Sequence, residues 1–379
     1  MANKKALFFS YQNLRELPGI SKKILSQKKA LENLGYDVSL SHLSTGETGP
    51  EFKIENETLI RRSPDLVGRL KWRFSKKEIY NWIIKNNISL IYVRYTKFAD
   101  ASFTRLFKKL KSHGVKIVLE IPTYPYDEEE KALTLKQKVY KWMEKMNRTR
   151  MAKYVDKIAT FSDDDIIFGR PTVKIINGVD SSIFPVKKEN YSDEKLNLIG
   201  VASLNYWHGY DRVLTGLADY YKQPEENRLP VFFHIVGGDS NNPEYNKLRA
   251  LTKELALENY VIFHGDQTGK ALDSIFDESH IGIGSLGRHR NNIFKFQSLK
   301  NIEYGMRGIP FIYSEISPLF ENENYIFKCP ADDSPVNINA VIDFYRSNKQ
   351  SPAEIRANCL EKNVEWTDQF RKILDSLKV

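Results

Sequence analysis

Cysteine is scarce in this chain: Cys329 and Cys359 are the only two. Two cysteines make neither a metal-ligand pattern nor a disulfide framework, and they suit a reducing, cytoplasmic setting. Long apolar runs are missing as well; no stretch approaches the roughly 20 residues needed to span a bilayer. The N-terminal MANKKALFFSYQN has lysines and a short apolar run but no small-residue cleavage site after it. It reads as a first strand, not as a signal peptide. Repeats, low-complexity tracts, zinc-finger spacings and RNA-binding signatures are also absent, which makes nucleic acid the weakest class of partner.

What is present is ample material for folded domains. The 379 residues are too many for one hydrophobic core and imply two domains, and 41% apolar content can build them. The formal charge of +9 favours anionic partners, namely acidic lipid or phosphorylated small molecules.

Short apolar runs alternate with longer amphipathic ones. KALFFSY, VSLSHL, LIYVRY, KIVLEIP, KIATFS and VKIINGV read as strands in the first half, and LNLIGVA, VFFHIVGG, YVIFHG, IGIGSL and PFIYSE in the second. Helix-length segments lie between them, such as 21–35 and 101–114, with Gly35 and Gly114 where a helix end wants a left-handed residue. Apolar runs without clean alternation imply strands covered on both faces, hence parallel sheets. Two successive β-α series predict an α/β protein of two doubly wound domains, whose ligands bind beyond the carboxyl ends of strands, in the cleft where the sheets face. The polar FPVKKENYS at 184–192 marks the break. We expect one domain over 1–184, a second over 185–362, and a C-terminal helix over 363–379 that crosses back to the first. In that helix Val364, Trp366, Phe370, Ile373 and Leu377 recur near helical spacing, as a packing face does.

FKFQSLKNIEYGMRGIPFIYSE, 294–315, carries the chemistry. Ser298 is a predicted N-cap, the helix runs from Leu299 to about Arg307, Gly308 ends it and Pro310 opens a strand. A helix start offers free N–H groups and a positive dipole end. Lys300 adds a full charge, and Arg288, Arg290 and Lys295 lie upstream. That outlines a diphosphate site. Glu303, one turn further, can accept two hydrogen bonds from a vicinal diol such as a ribose. The plainer alternative is a solvated Lys300–Glu303 pair, worth a few tenths of a kcal/mol.

In this context the sequence resembles the retaining glycosyltransferases of GT-B fold, in particular glycosyltransferase family 4 of the bacterial surface-polysaccharide type. These carry a stretch like SPxKxxEYxAxGxPVI, matched by Ser298, Lys300, Glu303, Tyr304, Gly308 and Pro310. IINGVDSSIF (175–184) is similar to the segment closing the first domain, and GVASLNYWHGYDRVLTGL (200–217) to the strand, loop and helix opening the second. VFFHIVGG, YVIFHGDQTGKAL and the N-terminal LPGISKKILSQKKALENLGYDV also fall in the family's order, so the resemblance spans nearly the whole chain.

The resemblance implies a nucleotide-sugar donor, a UDP-sugar by preference, with no permanently bound cofactor. Glu303 would hold the ribose. Lys300 and the backbone at Gln297, Ser298 and Leu299 would hold the diphosphate, with Arg290 and Lys295 nearby. Gly19, in the PGI segment, would approach the donor from the other side, unless it is an ordinary turn before a helix. The chain departs from the family at three places. Lys295 stands where an acid often contacts the donor sugar. Ser203 and His208 stand where an Arg and a Lys usually serve the diphosphate, with Asn205 and Arg212 close by in sequence. A histidine common after a first-domain strand is replaced by LEIPTYPYDEE, which offers Glu120, Thr123, Tyr124 and Tyr126.

We therefore expect Glu120, Lys300 and His208 as catalytic candidates, and Arg94, Tyr124 and Tyr126 on the acceptor side. For Glu120 an ion pair with Arg94 is the alternative, and for NYWHGYD a packed aromatic loop. The implied reaction is hexosyl transfer with retention, in which the leaving phosphate takes the acceptor's proton. No D-x-D loop is apparent, the aspartates of SDDDII (162–167) read as helix caps, and no metal is expected.

Two stretches point to a surface. KALTLKQKVYKWMEKMNRTRMAKY (131–154) has eight Lys or Arg against one Glu, with Leu135, Val139, Trp142, Met143 and Met146 as an apolar stripe. RRSPDLVGRLKWRFSKK (61–77) adds Trp72 and Phe74. Basic residues around aromatics suit an anionic membrane face, although a core helix with one solvated side explains the stripe equally well. The expected acceptor is a lipid-linked glycan or an oligosaccharide, at the inner face of the plasma membrane. A nucleotide-sugar epimerase and a non-catalytic binding protein of the same fold are the alternatives.

Overall fold

The computed structural model describes residues 4–14, 18–46, 49–63, 65–126 and 134–377. The chain divides into two compact units, Met1–Gly178 with Glu365–Val379, and Val179–Val364. The division falls ahead of the polar 184–192 stretch.

The first unit contains β1 (Lys4–Phe9), α1 (Pro18–Asn33), β2 (Tyr36–Gly46), β3 (Gly49–Ile54), β4 (Glu57–Arg61), α2 (Leu66–Phe74), α3 (Lys77–Lys85), β5 (Leu90–Arg94), α4 (Ala101–Ser112), β6 (Lys116–Ile121), α5 (Leu135–Ala152), β7 (Lys157–Thr160), β8 (Ile166–Ile167) and β9 (Arg170–Lys174). They form a nine-stranded sheet in the order β4-β3-β2-β1-β5-β6-β7-β9-β8. Its centre is parallel, as the unbroken apolar runs require, and every residue of β5 is buried. The β2-β3-β4 meander and the β8-β9 pair are antiparallel. These lie outside the sequence expectation because β3 and β4 are short strands dense in charge. The aspartates at 163–165 cap no helix; they lead into β8.

The second unit contains β10 (Leu196–Val201), α6 (Tyr210–Tyr221), β11 (Val231–Val236), α7 (Pro243–Glu254), β12 (Val261–Gly265), α8 (Gly269–Glu278), β13 (Ile281–Ile283), α9 (Leu299–Arg307), β14 (Phe311–Tyr313), β15 (Ile326–Lys328), α10 (Ile338–Ser347) and α11 (Pro352–Glu361). Its sheet is six-stranded, β12-β11-β10-β13-β14-β15, with every pairing parallel. That is the 3-2-1-4-5-6 strand order of a Rossmann-like sheet, which reverses between its first and fourth strands. Cys329 and Cys359 are buried free thiols, each pushed up to about 12 by burial.

The last helix, α12 (Trp366–Ser376), packs on the first unit. Trp366, Phe370 and Ile373 join a core with Phe8, Tyr92 and Val118, and Phe370 meets the Tyr92 ring edge-on at 4.7 Å.

Candidate functional site

In the second unit the order of strands reverses between β10 and β13, so the loops after these strands define where a ligand belongs. The loop after β10 makes a 3-10 turn at Tyr206–His208. There the main-chain N–H of Asn205 donates to Nδ1 of His208 at 3.1 Å. Nδ1 is thus the acceptor, and the ring proton belongs on Nε2. Burial first, then the charges of Lys300 and Arg288, push the His208 pKa down to about 2. His208 is accordingly a neutral N–H donor. Gly209 follows at φ +67°, and a Cβ there would lie 2.7 Å from the carbonyl carbon of Leu286. The glycine lets this turn press on the loop after β13, where the Leu286 N–H donates to the His208 carbonyl at 2.9 Å.

Helix α9 begins and ends where the sequence predicts. Gly308 closes it at φ +74°, with a Cβ position only 2.1 Å from the carbonyl oxygen of Pro352. Ser298 is its N-cap and is buried, but its hydroxyl makes no capping bond, so the first-turn amides keep their donors for something else. Lys300 reaches the Tyr210 hydroxyl at 3.3 Å and lies over that ring at 5.2 Å. Burial lowers its pKa to about 7; Glu315 and Glu303 raise it and Arg288 lowers it further. Glu303 accepts from Nε of Arg307 at 2.9 Å, and Arg307 also binds Asp273 at 2.7 Å. Among the described residues Lys300 and Glu303 form no ion pair with each other, so the simple surface pair is not what these residues make.

Around the start of α9, buried polar atoms stand without hydrogen-bond partners. They are Ser285 Oγ, Arg288 Nε, Gln297 Nε2, both amide atoms of Asn301, both carboxylate oxygens of Glu315, and Ser317 Oγ. Orphaned groups are rare in protein interiors, and a cluster of them marks where polar ligand atoms complete the bonding. The guanidinium of Arg288 is stacked 4.2 Å from the Phe296 ring, with Trp207 at 5.8 Å. Glu315 was no more than a strand end in the sequence. Its carboxyl is pushed up to about 7 by burial, against a hydrogen bond from its own main-chain N–H and then the charges of Lys300, Arg288 and Lys328.

Other expected ligands are placed differently. Arg290 gives its donors to Asp211 (3.0 and 2.7 Å), to Asp333 (2.7 Å) and to the Tyr206 carbonyl (2.8 Å). With four of its five donors taken, Arg290 is held as a structural clamp. Arg212 is buried and binds the carbonyls of Ser334 (2.7 Å), Pro330 (3.1 Å) and Leu286. Lys295 and Leu299 have exposed side chains, and Lys295 lies in a bridge to Ile316. Asn205 Nδ2 donates to the carbonyl of Ser203 at 3.1 Å, and the Ser203 side chain is exposed.

In the first unit Glu120 is fully buried and saturated. Its carboxylate accepts from Gln27 and Tyr92, both at 2.7 Å, and from Arg94, with Lys23 at 3.8 Å. Burial works to raise its pKa, but Lys23, Arg94 and the two hydrogen bonds outweigh it and hold the carboxyl low. Such a group is no base, and the catalytic expectation for Glu120 gives way to the ion pair with Arg94. Arg94 also donates to Gln12 at 3.0 Å, so its bonding is internal. Tyr126 is buried, its hydroxyl donating to Glu144 of α5 at 2.6 Å, and Tyr124 packs edge-on against Phe168. The Tyr124 ring is half-buried. A pocket of about 280 Å³ opens beyond β5 and β6, lined by Tyr95, Thr96, Lys97, Pro122, Thr123 and Tyr126. Gly19 stands in the first turn of α1 rather than in a loop. Residues 127–133 lie outside the described residues.

Among the described residues no group of three or more His, Cys, Asp or Glu could hold a metal ion, and no helix is long and apolar enough to cross a membrane. Of the apolar stripe of α5, the side chain of Leu135 lies outside the described ones, Met143 is half-buried, and the rest turns outward. Trp142 is 63% exposed, and Val139 and Met146 are also exposed. The inward group is Glu144, which binds Tyr95 and Tyr126. Helix α2 buries none of its residues and exposes Leu66, Val67, Leu70 and Phe74. Arg73 of α2 lies 5.0 Å from the Tyr140 ring of α5, so the two form one basic, apolar-studded face.

No protein-family model and no curated protein matches this sequence. The structure does match solved ones over its length. Sucrose-phosphate synthase from Thermosynechococcus elongatus has a TM-score of 0.59 at 14% identity, covering 98% of both chains. Starch synthase IV from Arabidopsis thaliana, its catalytic domain bound to ADP and acarbose, has 0.58 at 10% identity over 100% of both. The HepE protein of Anabaena in complex with UDP has 0.56 at 14% identity over 99% of both. The fold is the GT-B fold, two Rossmann-like units in one chain.

Proposed function

We propose that the protein is a glycosyltransferase that moves a hexose from a nucleotide-diphosphate sugar, a UDP-sugar by preference, to a hydroxyl of a lipid-linked or oligosaccharide acceptor. One observation carries this reading. Lys300, the open amides of α9 and the neutral Nε2–H of His208 share the end of a Rossmann-like sheet with a cluster of unpartnered buried polar atoms. The diphosphate belongs at that helix start, facing Lys300 and Arg288. Glu303, fixed by Arg307, offers its remaining oxygen to the ribose. The UDP of the HepE structure and the ADP of the starch synthase structure agree with a nucleoside-diphosphate ligand on this fold.

In the reaction the bond from the anomeric carbon to the diphosphate oxygen breaks and the acceptor oxygen bonds to that carbon. The acceptor's proton passes to the departing phosphate. Charge builds on the diphosphate, and preorganised donors lower the barrier by stabilising it there more than in the ground state. With the Glu120 carboxylate locked in its bonds and the one lone-pair nitrogen of His208 occupied by the Asn205 N–H, neither is free to act as a base, which supports transfer with retention by attack on the face the phosphate leaves. The α2–α5 face supports docking on an anionic membrane surface, where a lipid-linked acceptor resides.

A thermal-shift panel of UDP- and GDP-sugars tests the donor, followed by nucleotide release with and without a lipid-linked glycan. We expect one nucleotide-sugar to raise Tm and its turnover to need the acceptor. A sugar epimerised without acceptor, or nucleotide binding with no turnover at all, would replace this reading.

A further inference from the structure

We propose that Glu315 is the residue that reads the sugar of the donor, its two carboxylate oxygens accepting hydrogen bonds from hydroxyls of the hexose. The inference rests on the donor reading above and adds which group senses the sugar. Glu315 is 1% exposed, just beyond β14, and beyond a contact with its own main-chain N–H neither oxygen has a partner. One neighbouring cation is already engaged elsewhere: Lys328 donates to the Glu315 main-chain carbonyl and, at 3.1 Å, to Glu321. A buried carboxylate left unbonded is costly, and such a cost is retained where a ligand supplies the missing donors.

The surroundings decide what kind of ligand that is. Lys300 and Arg288 act on Glu315 electrostatically, so positive charge is already supplied and a cationic ligand would be repelled. A phosphate brings no donors and is repelled by the carboxylate. The remaining class is neutral and rich in hydroxyl donors. Asn301, Ser285 and Ser317, all fully buried with unpartnered side-chain atoms, can both give and accept hydrogen bonds, as a polyol requires. These residues are adjacent. The Ser314 N–H donates to the Ser285 carbonyl at 3.0 Å, and Asn301 Oδ1 lies 2.7 Å from where a Cβ on Gly284 would be. Next to them the main chain of 294–296 pairs with Ile316: the Phe296 N–H donates to the Ile316 carbonyl at 3.0 Å, and the Ile316 N–H to the Phe294 carbonyl at 2.7 Å. Position 295 is thus bridged to Ile316, the residue after Glu315, and the Lys295 side chain is exposed.

The test is calorimetric titration of wild type and Glu315→Gln with UDP, UDP-glucose, UDP-galactose and UDP-N-acetylglucosamine, and with GDP and GDP-mannose. We expect the bare nucleotide to bind both proteins alike, within about twofold. The preferred sugar nucleotide should bind Glu315→Gln about 10- to 100-fold more weakly. Its ligand-free Tm should equal or exceed that of wild type. Equal loss for nucleotide and sugar nucleotide, no loss for either, or a wild type that does not distinguish them overturns the role of Glu315 alone. Failure of every nucleotide to bind wild type overturns the donor reading and this inference with it. Should Glu315→Gln not fold, Glu315→Asp, which moves the carboxylate back by one methylene, must show the same selective loss.

Discussion

Glu303 and Arg307 are bonded at 2.9 Å across one turn of α9, and Asp273 holds Arg307 from the other side at 2.7 Å. The carboxylate is thereby aimed without being consumed. Replacing Glu303 by Ala leaves Arg307 paired with Asp273, and unfolding free energy should fall by only about 1–2 kcal/mol. Affinity for the preferred sugar nucleotide should fall about 10- to 100-fold, for bare nucleotide as much as for the conjugate. Titration of both ligands checks this, and an unchanged affinity would remove Glu303 from the ribose.

Lys300 gives the site a pH dependence. Its pKa in the free protein is lowered to about 7, so its charge is lost as pH rises through neutrality. A nucleotide-sugar, whose phosphates stay ionised, should bind more tightly at pH 6 than at pH 8.5. His208, at about 2, is silent over that range, while Glu315, at about 7, becomes a better acceptor for the sugar hydroxyls as it ionises and opposes the slope in part. Lys300→Met should flatten most of the slope and lower kcat/KM by about 100- to 1000-fold. Stability carries the opposite sign. A lysine whose folded pKa is depressed costs stability below its unfolded pKa, fully so below the folded one. Lys300→Met should therefore raise the ligand-free Tm most at pH 6, with the gain shrinking toward pH 10.

Glu120 is predicted to matter for folding and not for proton transfer. Glu120→Ala leaves Arg94 buried without its carboxylate and should cost about 3–5 kcal/mol in urea unfolding. Because its folded pKa is depressed, its contribution is present above the unfolded pKa and is lost as pH falls through the folded one. Glu120→Gln should accordingly weaken the acid sensitivity of stability while leaving sugar-nucleotide affinity unchanged.

The α2–α5 face is tested on vesicles. Binding to vesicles containing phosphatidylglycerol should exceed binding to neutral ones and weaken as salt rises. Trp142→Glu, at an exposed position, should leave the unfolding free energy within about 1 kcal/mol of wild type and reduce vesicle binding. Equal sedimentation with neutral vesicles, or no effect of the substitution, removes the membrane from this face.

The bounds of α9 were legible because they rest on local signals: a serine cap, a left-handed glycine and a following proline. The parallel centres of both sheets were legible from unbroken apolar runs. Where the sequence misled, the reason is tertiary. Arg290 reads as a free cation until Asp211 and Asp333, far away in the chain, are seen to close on it. The stripe of α5 reads equally as a surface face or a core face, and only the structure shows that Glu144 is turned inward, drawn by the hydroxyls of Tyr95 and Tyr126. Glu315 carries no local signal at all. Its burial becomes visible only once 294–296 lies along 316, and an unbonded buried carboxylate is the feature that could have drawn attention to it.

The end of the chain belongs with its beginning. Trp366, Phe370 and Ile373 fill a core whose other wall is Phe8, Tyr92 and Val118, while an entire second unit is synthesised in between. On the ribosome the unit that starts first is thus the last to be completed, and its apolar groove stays open until α12 emerges. A cut at the 178/179 junction alone would leave the first unit without α12, still attached to the second; a stable first unit needs α12 joined back to it.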